Sequence, residues 1–177
     1  AVSDTLLDRH DAVLLDLDGT VYQGNVALPG AYEAIRRIHE RDVPVRYVTN
    51  NASRSGCAVA EQLVGLGLPA EAAEVNTSAE AGASLLAARL PHGARVLVVG
   101  TEALAAEVEK AGLTPVRDSA TDPAGVIQGH SPQTNWKDLA EAFVAIRRDA
   151  LWVACNDDVT LPTERGPLPG NGAMVAA

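Results

Sequence analysis

The stretch Ala12-Val13-Leu14-Leu15-Asp16-Leu17-Asp18-Gly19-Thr20 runs an apolar segment straight into two carboxylates, a glycine and a threonine. Four consecutive apolar residues that break into a polar loop read as a buried strand whose carboxyl end opens on a crevice, where open α/β sheets hold their ligands. Asp16 and Asp18 are two positions apart, so where the chain is extended their side chains lean to one face. Gly19 then lets the backbone turn sharply. Paired carboxylates in one small space suit two jobs at once: one attacks an electrophile or holds a metal while the other passes a proton. Taken alone, Asp-x-Asp-Gly serves equally well as a solvated turn.

Working outward, Leu28-Pro29-Gly30 leads into a predicted helix over 31–41, with Ala31, Ala34, Ile35 and Ile38 on one face. Val43 to Val48 is predicted as a second strand and ends in Thr49-Asn50-Asn51. A strand, a helix and a strand in about forty residues make a right-handed crossover on a parallel sheet, which brings both carboxyl ends to one edge. Asp16 and Thr49 become neighbours. A helix over about 54–66 should follow, with Ser53 as its N-cap and its free amides facing the same edge. By themselves Thr49-Asn50-Asn51 read as a cap and turn.

From Val75-Asn76-Thr77-Ser78 an alanine-rich helix is predicted to about Leu90, and after Pro91-His92-Gly93 the alternation restarts. Strands over 95–99, 125–128 and 151–155 alternate with helices over 102–111 and 137–147, without a second acidic signature. The expectation is an α/β fold in two parts: a Rossmann-like parallel-sheet core portion, residues 1–80, and a smaller α/β domain, residues 81–177.

The 177 residues are 47% hydrophobic and 21% charged, an ordinary globular make-up. A net charge of -9 and 3% aromatics disfavour nucleic acid and anionic membrane surfaces as partners. The same field repels a phosphorylated ligand, so a phosphate site here requires a metal ion or oriented amides. Cys57 and Cys155 lack metal-type spacing and read as reduced, buried thiols. With no run of membrane-spanning length and no signal pattern, a cytoplasmic location is expected.

Asp16-Leu17-Asp18-Gly19-Thr20 resembles the Asp-x-Asp-Gly-Thr/Val signature of the haloacid dehalogenase superfamily of phosphatases and phosphotransferases, and Val48-Thr49-Asn50-Asn51 is similar to its second motif. The doubled asparagine, Gly125-Val126-Ile127-Gln128-Gly129, Asn156-x-Asp158 and Leu161 to Gly172 resemble the NagD-like p-nitrophenyl phosphatase branch, whose α/β cap is inserted after the second motif. Pro162-Thr163-x-x-Gly166-x-x-Pro169-Gly170-x-Gly172 is the most specific of these signals. One position departs: His130 stands where the branch usually has an aspartate.

The resemblance implies a magnesium-dependent phosphatase acting on a small phosphomonoester such as glycerol 3-phosphate or phosphoglycolate. Asp16 would be the nucleophile, Asp18 the general acid and base, and Asp16 with Asp18 the magnesium ligands. Gly19, Thr20, Thr49, Asn50 and Asn51 would surround the phosphoryl group, and Asn156, Asp158 and Arg165 in the cap would contact the rest of the substrate or the core. Association of two copies through the cap is a further expectation. The family's Gly-Lys-Pro lysine and later Gly-Asp acidic motif are not found here: Lys110 and Lys137, the two lysines, match neither. The chain is therefore expected to be part of a longer protein of about 260 residues or more. Three alternatives stay open: a phosphate-binding module without turnover, a compact capless phosphatase that closes its metal site with Asp157 and Asp158, and a receiver domain, which the Asp-Leu-Asp-Gly-Thr order argues against.

Overall fold

The computed structural model describes residues 5–163 and 165–176. The chain divides into two units, the first made of residues up to Thr49 with Gly56–Asn76, the second of Asn50–Ser55 with Thr77 onward. The passage at Asn76 and Thr77 lies a few residues ahead of the expected boundary near Ala81, and the short segment after Thr49 goes with the second unit.

The first unit opens with β1 (Val13–Asp16), the hairpin β2 (Tyr22–Gln23) and β3 (Val26–Ala27), then α1 (Ala31–His39), β4 (Val45–Thr49), α2 (Gly56–Gly65) and β5 (Val75–Thr77). Its sheet runs β1-β4-β5, and β1 pairs with β4 in parallel with Val13 opposite Val45 and Asp16 opposite Val48. Leu17, Val45 and Tyr47 turn to a core filled by Ile35 and Ile38 of α1 and by Val59 and Leu63 of α2. The alternation that sends Tyr47 inward sends Leu14 and Val48 outward, 70% and 38% exposed. Tyr47 is fully buried, and its hydroxyl donates to the Pro69 carbonyl at 2.6 Å.

The second unit continues with α3 (Ser78–Ala87), β6 (Arg95–Val99), α4 (Glu102–Lys110), β7 (Thr114–Val116), β8 (Gly125–Gln128), α5 (Trp136–Ile146), β9 (Leu151–Ala154), β10 (Thr160–Leu161), β11 (Leu168–Pro169) and α6 (Asn171–Val175). Four parallel strands in the order β7-β6-β8-β9 form its sheet. Val96, Val98 and Ile127 pack under α3 and α4, while Leu97, Val99 and Val126 pack under α5. Both faces are covered.

Six short strands escaped the sequence reading, the two-residue β2, β3, β10 and β11 and the three-residue β5 and β7. Val75–Thr77 is β5 and not the start of a helix: Val75 and Thr77 are buried and Asn76 is exposed, an alternation too brief to declare itself. β7 is an edge strand, the one place where Pro115 can sit without costing a ladder hydrogen bond. Cys57 is exposed, against expectation, because α2 gives its buried face to Val59, Ala60 and Leu63. Cys155 is half-buried, and desolvation pushes its thiol pKa up to about 12. Among the described residues no helix is long and apolar enough to cross a membrane.

Candidate active site

The acidic loop is built on one buried residue. Leu17 is 1% exposed, and with it pinned in the core the pleat leaves Asp16 and Asp18 on the outer side, both exposed. The Leu17 carbonyl accepts from the N–H groups of Thr20, Val21 and Tyr22 at 3.3, 2.9 and 3.2 Å, and Gly19 donates to the Tyr22 carbonyl at 2.7 Å. This folds the chain back on itself directly after Asp18. Gly19 sits at φ +79°, where any side chain is strained, yet a Cβ there would meet nothing within 4 Å. The glycine is required by the turn, and the space beside it is open.

Parallel register then fixes what stands beside Asp16. Its partner is Val48, so Thr49, half-buried, closes β4 at the same carboxyl edge. The first unit thereby gathers Asp16, Asp18, Gly19, Thr20 and Thr49 at one sheet edge. Two exposed carboxylates next to a hydroxyl and an open turn present hard oxygen donors beside an O–H donor.

A separate cluster forms in the second unit. Asn50 Nδ2 donates to Asp158 Oδ2 at 2.6 Å, and the Asn50 carbonyl accepts from Ser78 Oγ at 2.6 Å and Asn156 Nδ2 at 3.0 Å. Asn51 Oδ1 accepts from the Ser53 N–H at 2.8 Å, shaping the next turn. Ser53 does not cap α2, which begins at Gly56; its hydroxyl donates to the His130 carbonyl at 2.8 Å. Arg165 is exposed in the turn closed by Thr163 and Gly166, its N–H donating to Thr163 Oγ1 at 3.2 Å.

Sequence reasoning missed Ser78 and Asn171. Asn171, 1% exposed, donates through Nδ2 to the Asn156 carbonyl at 2.7 Å and the Gln128 carbonyl at 3.4 Å. Its position between two glycines of the Pro169-Gly170-Asn171-Gly172 run was the available signal. Ser78, the first residue of α3, gave none.

For magnesium, the test is the donor set. Among the described residues no group of three His, Cys, Asp or Glu side chains stands close enough to hold a metal. The Asp16 carboxylate with the backbone of Asp18 fits magnesium nonetheless, since the ion keeps several waters and takes one or two carboxylates plus substrate phosphate oxygens.

Residues 13–114 match the family described as haloacid dehalogenase-like hydrolase. The chain is 54% identical over 173 residues to a D-glycerol 3-phosphate phosphatase of Mycobacterium tuberculosis, covering 98% of this chain and 48% of that protein. A crystal structure of a glycerol phosphate phosphatase from the same organism, in complex with magnesium, superimposes with a TM-score of 0.94 at 53% identity, over 98% of this chain and 52% of that one. A p-nitrophenyl phosphatase from Archaeoglobus fulgidus superimposes with a TM-score of 0.84 at 28% identity, over 93% of this chain and 62% of that one. The chain thus spans about half the length of the mycobacterial relative.

Proposed function

The chain belongs to the haloacid dehalogenase-like hydrolases, and on that premise we propose that its protein is a magnesium-dependent phosphatase of small phosphomonoesters, glycerol 3-phosphate foremost. The observation that carries this reading is the parallel register of β1 and β4, which sets Asp16 and Asp18 beside Thr49 at one open edge. The 54% identity to a D-glycerol 3-phosphate phosphatase supports the choice of substrate.

In this reading the Asp16 carboxylate attacks phosphorus in line, and an aspartyl-phosphate replaces the alkoxide ester, splitting one hard displacement into two easier ones. Asp18 gives its proton to the departing alkoxide and later takes one from the water that hydrolyses the intermediate. The Thr49 hydroxyl donates to a phosphoryl oxygen, with Gly19, Thr20, Asn50 and Asn51 supplying the surrounding backbone. The Asp16 carboxylate and the backbone of Asp18 would hold magnesium, which supplies positive charge against the phosphoryl oxygens in a chain of net charge -9. The first unit is then part of the catalytic core and the second is its cap. A cytoplasmic location and pairing of two copies through the cap belong to the same proposal.

The test is phosphate release by the full-length protein from glycerol 3-phosphate and p-nitrophenyl phosphate with magnesium. Turnover that stops on chelation and returns with magnesium is expected. No release from any phosphomonoester in the presence of magnesium would refute the assignment.

A further inference from the structure

We propose that Asn156 and Asp158 are positioning residues: together with Ser78 they clamp the peptide that follows Thr49 and hold the end of β4 in place, without contacting substrate. The proposal rests on Thr49 binding the phosphoryl group.

Thr49 is the last residue of the first unit before the chain passes to the second, and Asn50 is the first residue beyond it. Asn50 is unusually well tied for an exposed loop residue. Its carbonyl oxygen accepts from both Ser78 Oγ and Asn156 Nδ2, which uses both lone pairs, while its carboxamide donates to Asp158. Ser78 itself follows directly on Thr77, where the chain passes to the second unit again. The Ser78 to Asn50 bond therefore joins two of the segments that link the units.

The clamp is itself rigidly seated. Both ends of the Asn156 carboxamide are engaged, Nδ2 on Asn50 and Oδ1 on the Asp158 N–H at 3.2 Å, and its carbonyl accepts from buried Asn171. Below it, Gly172 donates to the Asp158 carbonyl at 2.8 Å and Gly170 to the Val159 carbonyl at 2.9 Å. A Cβ on Gly170 would overlap the Asp158 carbonyl oxygen, and one on Gly172 the Asp157 carbonyl oxygen. The glycines of the Pro-Gly-Asn-Gly run are thus needed to let the loop carrying Asn156 and Asp158 lie against the backbone of α6.

Further along the loop the anchoring is repeated. Ala52 is 1% exposed in the core of the second unit, where a Cβ on Gly129 would come within 2.8 Å of its own Cβ. Ser53 is held from both sides, its hydroxyl on the His130 carbonyl and its carbonyl accepting from Thr101 Oγ1 at 3.2 Å. The segment after Thr49 is bound at Asn50, Ala52 and Ser53, which fixes the peptide covalently joined to Thr49. Loss of that support misplaces its hydroxyl while leaving it present.

The experiment uses the full-length protein, with p-nitrophenyl phosphate and glycerol 3-phosphate as substrates. Asp158→Ala should lower kcat about tenfold on both, with KM for each within about twofold of wild type, because a misplaced group costs rate on any phosphoryl donor. Asn50→Asp alone, which sets two carboxylates face to face, should lose more. Combining Asn50→Asp with Asp158→Asn exchanges donor and acceptor and should recover most of kcat. Hydrogen exchange of the backbone at 50–53 reads the clamp independently of turnover: it should accelerate in Asp158→Ala and slow again in the exchanged pair. An Asp158→Ala effect confined to KM for glycerol 3-phosphate, an exchanged pair no better than its worse single variant, or unchanged hydrogen exchange would each overturn the clamp. A wild-type protein inert on both substrates would instead refute the phosphatase reading, and the exchange measurement would still decide the clamp.

Discussion

The two units share one grammar, parallel strands joined by helices, and differ in what stands where the strands end. In the first, β1 runs into Asp16, Leu17 and Asp18 and β4 ends at Thr49; in the second, β6 and β8 run into Gly100 and Gly129, and of the acids that follow β9, Asp157 and Asp158, the latter accepts from Asn50. Their cores differ as well. Each residue of β6 from Val96 to Val99 is buried, whereas β1 alternates and leaves Leu14 70% exposed. The first edge carries exposed acids beside open space, whereas the two central strands of the second sheet end in glycine and its layers are packed on both faces.

Substitutions at the two sets of strand ends should therefore dissociate rate from stability. Asp16→Asn should reduce phosphate release by about 10⁴-fold or more, since nothing replaces the nucleophile, with the unfolding midpoint unchanged. Thr49→Val, which removes one donor to the phosphoryl oxygens, should cost about 10²-fold in kcat, again without loss of stability. Gly100→Ala is the converse. The added methyl meets Leu104 and the Gly129 carbonyl, and the expected loss is about 1–3 kcal/mol of stability, read from denaturant unfolding. A Gly100→Ala protein of normal stability, or an Asp16→Asn protein that unfolds, would break the contrast.

A smaller effect belongs to the core beneath the edge that carries Asp16 and Thr49. Burial, with Glu74 adding to it, pushes the Tyr47 phenol up to about 12 from 10.0. The folded state keeps a proton that the unfolded chain releases, so this contribution is complete below pH 10 and is lost as pH rises towards 12. Tyr47→Phe should cost about 1 kcal/mol at neutral pH, the net worth of its bond to Pro69, and should flatten the alkaline fall in stability. Urea titrations at pH 8 and pH 11 would show it.

What could be read without coordinates was local. Asp16, Asp18 and Gly19 declare themselves because strand, acid and turn are consecutive, and Thr49 because one crossover returns the chain to the same edge. The clamp gave no comparable signal, since Asn50 and Asp158 are 108 positions apart and their bond depends on how a whole α/β unit closes. Ser53 was misread for the same reason: its expected role was at a helix a few residues away, and a carbonyl 77 positions away took its hydroxyl. Three-residue strands such as β5 and β7 are too short for periodicity, and only their neighbours define them.

The central claim is that Asp16 carries the phosphoryl group between the two half-reactions. Full-length protein mixed with substrate and magnesium, quenched in acid within the first turnovers and digested, should yield the peptide containing Asp16 heavier by one phosphoryl group, and Asp16→Asn should yield none. An actively hydrolysing protein with that peptide unmodified, or one whose turnover survives Asp16→Asn, would contradict it.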